Sequence, residues 1–226
     1  SRKLLLTTML AFACYVANAT QLSGTYTIDS AGTPSTTVFK DFNSAVIYLT
    51  SASARPDGGP SNSAPFGVSG PVEFLVMQGT YIEQVTIPAI TGTSTTNTVT
   101  FDGGTGNASS RILEHTAATS TNAHTLRFNG CNNVIVKNLT ILGKGSFSIG
   151  VHFYSSISTF NITLKKCSVM VTIPTSGAAA SSPLKAIAAT NSTLSTTGGG
   201  TSGSTGSVYN IFIDSNYISG GHIGVF

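Results

Sequence analysis

The chain has 226 residues, of which 8% are charged and 40% hydrophobic, with 24 glycines and no tryptophan. So few charges exclude charge-rich disorder and a coiled coil, and the scarcity of long helical patterns leaves an all-β chain with many turns. The formal charge of +3 comes from 11 basic and 8 acidic residues with no Lys/Arg cluster, so there is no footprint for nucleic acid or for an anionic membrane surface.

Residues 1–19 read as a secretory signal peptide. Arg2 and Lys3 form a basic start, residues 4–16 an apolar core, and Ala17-Asn18-Ala19 a small-x-small cleavage site. The apolar run is too short to cross a bilayer comfortably, so no membrane span is expected in the mature chain. Two rivals are a buried helix and a lipoprotein signal at Ala11-Phe12-Ala13-Cys14, where Phe12 is bulkier than such signals prefer. Export makes a disulfide between Cys131 and Cys167 permissible, and two buried thiols are an equal alternative. Neither cysteine has a spacing that suggests a metal site.

Residues 20–71 form the next unit. Gly24-Thr25-Tyr26-Thr27-Ile28 reads as a strand. Phe42, Ala45, Val46 and Leu49 fall on one face of an amphipathic helix, with Thr37 or Asp41 as its N-cap. Residues 54–71, rich in Pro, Gly and Ser, read as a loop.

Residues 72–226 have a uniform texture of short strands and Gly, Asn or Ser turns. Val72-Glu73-Phe74-Leu75, Val99-Thr100-Phe101-Asp102 and Leu126-Arg127-Phe128-Asn129 align, spacing Phe74, Phe101 and Phe128 by 27 residues. A second family begins at Asn133, Asn161 and Asn210, its last interval lengthened by the Ser/Thr/Gly-rich residues 175–207. The pattern predicts a solenoid of parallel strands, a parallel β-helix, with the three phenylalanines in one internal ladder and the asparagines at turns bonded to neighbouring backbone. A β-sandwich is the rival, but it has no reason to repeat at 27 or 28 residues. In this reading the helix at residues 42–49 caps the first coil. The apolar ending Ile223-Gly224-Val225-Phe226 implies coils beyond an N-terminal fragment, and an open edge prone to pairing.

Gly24-Thr25-Tyr26-Thr27-Ile28, Phe42-x-x-Ala45-x-x-x-x-Leu49, Gly70-Pro71-Val72-x-Phe74 and Gly79-Thr80-Tyr81-x-Glu83-x-Val85 carry a resemblance over residues 22–226. The chain resembles secreted surface proteins of Bacteroidetes-type bacteria with right-handed parallel β-helix repeats of the pectin-lyase-like superfamily. The resemblance implies the handedness and places polysaccharide lyases and hydrolases among the relatives.

Lyases of that superfamily hold Ca²⁺ with clustered carboxylates, and its hydrolases pair two acids across neighbouring coils. Here Asp29, Asp41, Asp57, Glu73, Glu83, Asp102, Glu114 and Asp214 show no clustering along one strand, although Glu73 is a neighbour of either Asp102 or the 127 position across coils. Asp214 aligns with Lys137 and Lys165, which reads as a surface charge ladder. Glu83 reads as a backbone ligand at an early coil, and His222 in a Gly turn as structural. His115, His124 and His152 share no metal-binding spacing. Arg127 and Lys137 suit acidic sugars or, more simply, solvent. Tyr81, Tyr154, Tyr209 and Tyr217 are the candidates for a glycan-stacking face.

The sequence therefore assigns no catalytic, cofactor-binding or metal-binding residue. It points to a non-enzymatic secreted or cell-surface scaffold, adhesin-like or contacting an extracellular polysaccharide or cell-surface glycan. The alternative is a polysaccharide lyase or glycoside hydrolase whose active coils lie beyond residue 226.

Overall fold

A computed structural model describes residues 21–106, 108–154, 157–172, 184–190, 206–221 and 223–225. The predicted leader, Asn107, His222 and most of residues 175–207 lie outside these residues.

Strand β1 (Leu22–Ile28) is followed by β2 (Val38–Phe39) and by helix α1 (Phe42–Thr50). The described residues then make five passes of three strands each. They are β3 (Val68–Val76), β4 (Gly79–Ile82) and β5 (Val85–Pro88); then β6 (Val99–Asp102), β7 (Arg111–Thr116) and β8 (His124–Asn129). Next come β9 (Asn132–Lys137), β10 (Thr140–Lys144) and β11 (Ile149–Tyr154), followed by β12 (Thr159–Lys165), β13 (Ser168–Val171) and β14 (Lys185–Thr190). The last pass is β15 (Val208–Asp214), β16 (Tyr217–Gly220) and β17 (Ile223–Val225).

Each strand pairs with its equivalents in the passes before and after it. The result is three sheets, ordered β15-β12-β9-β6-β3-β1-β2, β16-β13-β10-β7-β4 and β17-β14-β11-β8-β5, in which all pairs are parallel. The chain is thus mostly β with one α-helix among the described residues. One apolar cluster, running from Leu22 to Ile187, is shared by all three sheets.

Register stacks like upon like in that core. Phe74 lies on Phe101 with ring centroids 5.0 Å apart, and Val136 and Leu164 continue the column. Phe128 does not join it. It belongs to the third sheet and stacks on Phe153 at 5.2 Å. The two equal intervals of 27 have different origins. Phe74 to Phe101 is one full pass, whereas Phe101 meets Val136, 35 residues on, because two 3-10 turns (Ala108–Ser110 and Ser120–Asn122) lengthen that pass. Equal spacing alone cannot separate a whole pass from two thirds of a longer one.

The asparagine family aligns as the pattern indicated, but not at turns. Asn133, Asn161 and Asn210 sit in register inside β9, β12 and β15, at positions that interrupt the ladder without shifting it, with φ of 54, 54 and 52°. Asn tolerates this left-handed backbone better than other residues that carry a Cβ. Their partners are one another rather than backbone. Asn161 Nδ2 donates to Asn133 Oδ1, and Asn210 Nδ2 to Asn161 Oδ1, both at 3.1 Å.

Helix α1 starts at Asp41, whose carboxylate accepts from Ser44 N at 2.6 Å. Its apolar face enters the core through Phe42, which meets Tyr81 at 5.3 Å and Phe101 at 5.8 Å. The loop predicted to reach Pro71 ends at Val68. Pro71 lies within β3 where the register with β1 slips, and a bulge tolerates its missing N–H. The loop itself is pinned by a buried Arg55–Asp57 ion pair, with the guanidinium 4.3 Å over Phe39.

Candidate functional site: the outward faces of two sheets

Strands buried on one face alternate inward and outward side chains. On the first sheet the outward positions form two columns across the strands. One runs Thr25, Glu73, Thr100, Ile135, Thr163, Phe212; the other runs Thr27, Leu75, Asp102, Lys137, Lys165, Asp214. The first column floors two adjoining surface depressions of about 340 and 260 Å³, with Thr98 in the wall of both. The asparagine ladder supplies another wall of the smaller one, and Phe212, 58% exposed, closes it. Amide and hydroxyl groups around an exposed ring make a surface that can bond sugar hydroxyls and pack against a sugar's C–H face.

The second column is a charge ladder, as its alignment implied. Lys137 Nζ lies 3.0 Å from Asp102 and 3.6 Å from Glu73, and Lys165 Nζ lies 2.9 Å from Asp214. Glu73 and Asp102 do meet across strands, through Lys137, while Arg127 lies on another sheet. Burial alone would raise Asp102, but the Asn138 amide, the Gly104 N–H and Lys137 outweigh it and hold the carboxyl below its ordinary range.

The other carboxylates have structural partners as well. Asp29 accepts from Ala31 N, Asp41 caps α1, Asp57 holds Arg55, and Glu114 meets Lys144 at 2.6 Å. Glu83 bonds backbone as expected, accepting from Phe42 N at 2.8 Å and from Asn43 N at 2.9 Å, with Asn43 Nδ2 as a third donor. Burial outweighs these donors and pushes Glu83 up to about 7.

The third sheet differs. The column on its side away from the core runs Thr86, Arg127, His152, Ala188, with Tyr154 and His124 beside it, and it is covered: His152 and Ala188 are fully buried and His124 nearly so. Gln84 Nε2 donates to the His124 carbonyl at 3.0 Å and lies 3.4 Å from its Nδ1. That leaves the ring proton on Nε2, 3.0 Å from Thr86 Oγ1. Arg127 Nε donates to His152 Nδ1 at 3.3 Å, so His152 also carries its proton on Nε2, 3.0 Å from Thr190 Oγ1. Burial first, and the Arg127 charge second, push His124 down to about 2 and His152 down to about 3. Sequence reasoning weighed these histidines for metal spacing alone. Their joint signal with Arg127 is visible only once passes of unequal length are in register.

Of the four tyrosines named as stacking candidates, Tyr81 is buried and donates to the Ile28 and Met77 carbonyls, and Tyr154 packs under Arg127. Tyr209 lies parallel to Phe160 at 4.9 Å, and Tyr217 is exposed on the second sheet. They share no single face, and Phe212, not singled out in the sequence, is the ring that borders a depression. Cys131 and Cys167 are free and buried, with burial pushing their thiols up to about 12 and about 11. Among the described residues no three His, Cys, Asp or Glu converge on a metal position, and no helix is long and apolar enough to cross a membrane.

The sequence matches no protein-family profile and no curated protein. Among solved structures the chain is similar to the pectin methylesterase from Aspergillus niger, at 15% identity over 91% of this chain and 71% of that one, with a TM-score of 0.39. The all-parallel sheets fit the pectin-lyase-like resemblance.

Proposed function

We propose that the protein is a secreted or surface-attached scaffold, a right-handed parallel β-helix capped by α1, that contacts an extracellular polysaccharide along the outward face of its first sheet. Right-handedness is the rule for parallel crossovers. The position of α1, with Phe42 inserted beside Phe101 and Glu83 gripping its first turn, supports the capping role. The observation that carries the non-enzymatic reading is that all eight carboxylates are already engaged in ion pairs, helix capping or turns. Glycosidic cleavage needs a carboxyl free to hold and release a proton, and the one pushed upward, Glu83, holds the start of α1.

The enzymatic reading keeps one specific observation in its favour. Glu73 and Asp102 from neighbouring strands converge on one lysine at the edge of the larger depression. A neutral- and acidic-oligosaccharide binding screen run beside a reducing-sugar release assay tests both. Binding that weakens in Phe212→Ala without sugar release is expected. Release of sugar that is abolished in Glu73→Gln would overturn the scaffold reading in favour of the enzyme.

A further inference from the structure

The two depressions on the first sheet carry almost no charge. Thr95, Thr98 and Thr163 hydroxyls, the Asn133 and Asn161 amides and the apolar Ile135 and Phe212 line the smaller one, with no ionisable group among the described residues. The larger one adds a single charge, the Glu73 carboxylate, whose side chain is 39% exposed. Among the described residues no cation lines either depression. Lys137 lies 3.6 Å from Glu73 but closer to Asp102, at 3.0 Å, so two acids share one ammonium. The field over the larger depression is therefore negative.

The asparagine ladder beside the groove has a direction. Thr93 Oγ1 and Asn133 Nδ2 both donate to Asn132 Oδ1, at 2.8 and 2.6 Å. Asn161 and Asn210 each donate to the amide of the pass before. A carboxamide nitrogen has two hydrogens, and each spends one on the ladder. Asn133 and Asn161 thus keep one donor each for the depression that they line. At the far end, Asn210 Oδ1 receives no donor among the described residues, and the aligned amides behind it polarise it as an acceptor. Phe212 offers its exposed ring two positions further along the same strand.

This lining mixes donors and acceptors. A sugar hydroxyl does both and can satisfy either kind of group. A carboxylate accepts only, so it would leave the acceptors unmet, lose its water without gaining a cation, and face Glu73.

We infer that the first-sheet groove takes an uncharged polysaccharide and discriminates against one that carries uronates, with Glu73 as the repulsive element. The inference rests on the glycan-contact reading of this groove and adds the charge class of its ligand. Selectivity here comes as much from what Glu73 rejects as from what the amides and hydroxyls hold.

The test is calorimetric titration of the full chain with cellohexaose, xylohexaose and mannohexaose as neutral probes and hexagalacturonate as the acidic one. At least one neutral probe should bind, and hexagalacturonate should bind about ten-fold or more weakly, the scale of a like-charge contact. Glu73→Gln should narrow that ratio by strengthening hexagalacturonate. Thr163→Lys, which sets a cation in the smaller depression, should narrow it as well and decides the matter if the glutamine variant fails to fold. Hexagalacturonate bound as tightly as the best neutral probe, or a ratio that stays put in the variant that folds, would overturn the inference and leave the glycan-contact reading intact. Silence from all four probes would sink that reading and the inference with it.

Discussion

The outward faces of the first and third sheets are made by the same device, parallel strands in register, yet they treat charge in opposite ways. On the first, two neighbouring lysines, Lys137 and Lys165, are flanked by Asp102 and Asp214 and pair with acids, and an amide ladder runs beside them. On the third, Arg127 stands with two neutral imidazoles and, among the described residues, no acid. A self-compensated face is stable as it stands and recognises through shape, hydroxyls and amides. An uncompensated face carries a field that nothing in the fold cancels.

The sharpest way to break this comparison is acid. Burial keeps His124 and His152 neutral in the fold, down to about 2 and about 3, among Gln84, Thr86, Thr190, Arg127, Lys185 and His115. In the unfolded chain each takes up a proton below about 6.5. Their stabilisation is therefore present above pH 6.5 and is lost as pH falls toward 3. Glu83 runs the other way: its folded value of about 7 lies above the ordinary 4.5, so its contribution is complete below 4.5 and is lost as pH rises through 7. Each group has a slope of about 1.4 kcal/mol per pH unit. Two imidazoles against one carboxyl leave a net loss of about 3 kcal/mol between pH 6.5 and 4.5. Urea-unfolding midpoints across that range should fall; a flat or rising series would mean that the third face is not held neutral. The first face should respond only below the ordinary carboxylate range, where Asp102 takes up its proton.

Next in size is the ladder on the first face. Asn161 gives one amide bond and receives another while holding φ at 54°. Asn161→Ala removes both bonds, at about 1 kcal/mol each, and adds left-handed strain of about 1 kcal/mol. A loss of about 3 kcal/mol in denaturant unfolding is expected, with Asn161→Gly recovering the strain but not the bonds. Equal stabilities of the two variants would show that the backbone is not strained there.

How much of this was legible in the sequence follows from what a one-dimensional repeat can carry. The strands, the helix with Asp41 as one of two N-cap candidates, and the alignment of Asn133, Asn161 and Asn210 were readable, because alternation, helical spacing and a 28-residue interval survive without knowledge of loops. The Lys137–Lys165–Asp214 column followed from the same alignment. Phe128 was misplaced because the pass containing it is lengthened by turns that leave no hydrophobic signature. The third-face cluster was not readable for the same reason: Thr86, Arg127 and His152 are separated by 41 and then 25 residues and become neighbours only through the register. The asparagines were read as turn residues because Asn favours left-handed backbone, and that backbone here lies within strands, one above another in register.

Glu83→Gln sharpens the contrast between the faces by removing the counterweight. A glutamine has one acceptor oxygen where the carboxylate has two for Phe42 N, Asn43 N and Asn43 Nδ2, so the start of α1 should lose about 1 kcal/mol. The pH series is the discriminating readout. Without Glu83, the two imidazoles act unopposed, and the acid slope should double to about 2.8 kcal/mol per pH unit. An unchanged slope would show that Glu83 does not oppose the two imidazoles.

The smallest effect should come from Lys137→Met, although this lysine makes the most crowded ion pair of the first face. Its ammonium is partly exposed and shared between Asp102 and Glu73. Water and salt screen such pairs, so the change should stay below about 1 kcal/mol and shrink further in 1 M NaCl. Asp102 keeps the Asn138 amide and the Gly104 N–H as donors, which limits what the lost cation exposes. A self-compensated face is redundant in this sense: removing one charge leaves neighbours that still satisfy the others. Arg127 has no such redundancy, so a Lys137→Met effect as large as that of the histidine titration would erase the distinction between the two faces.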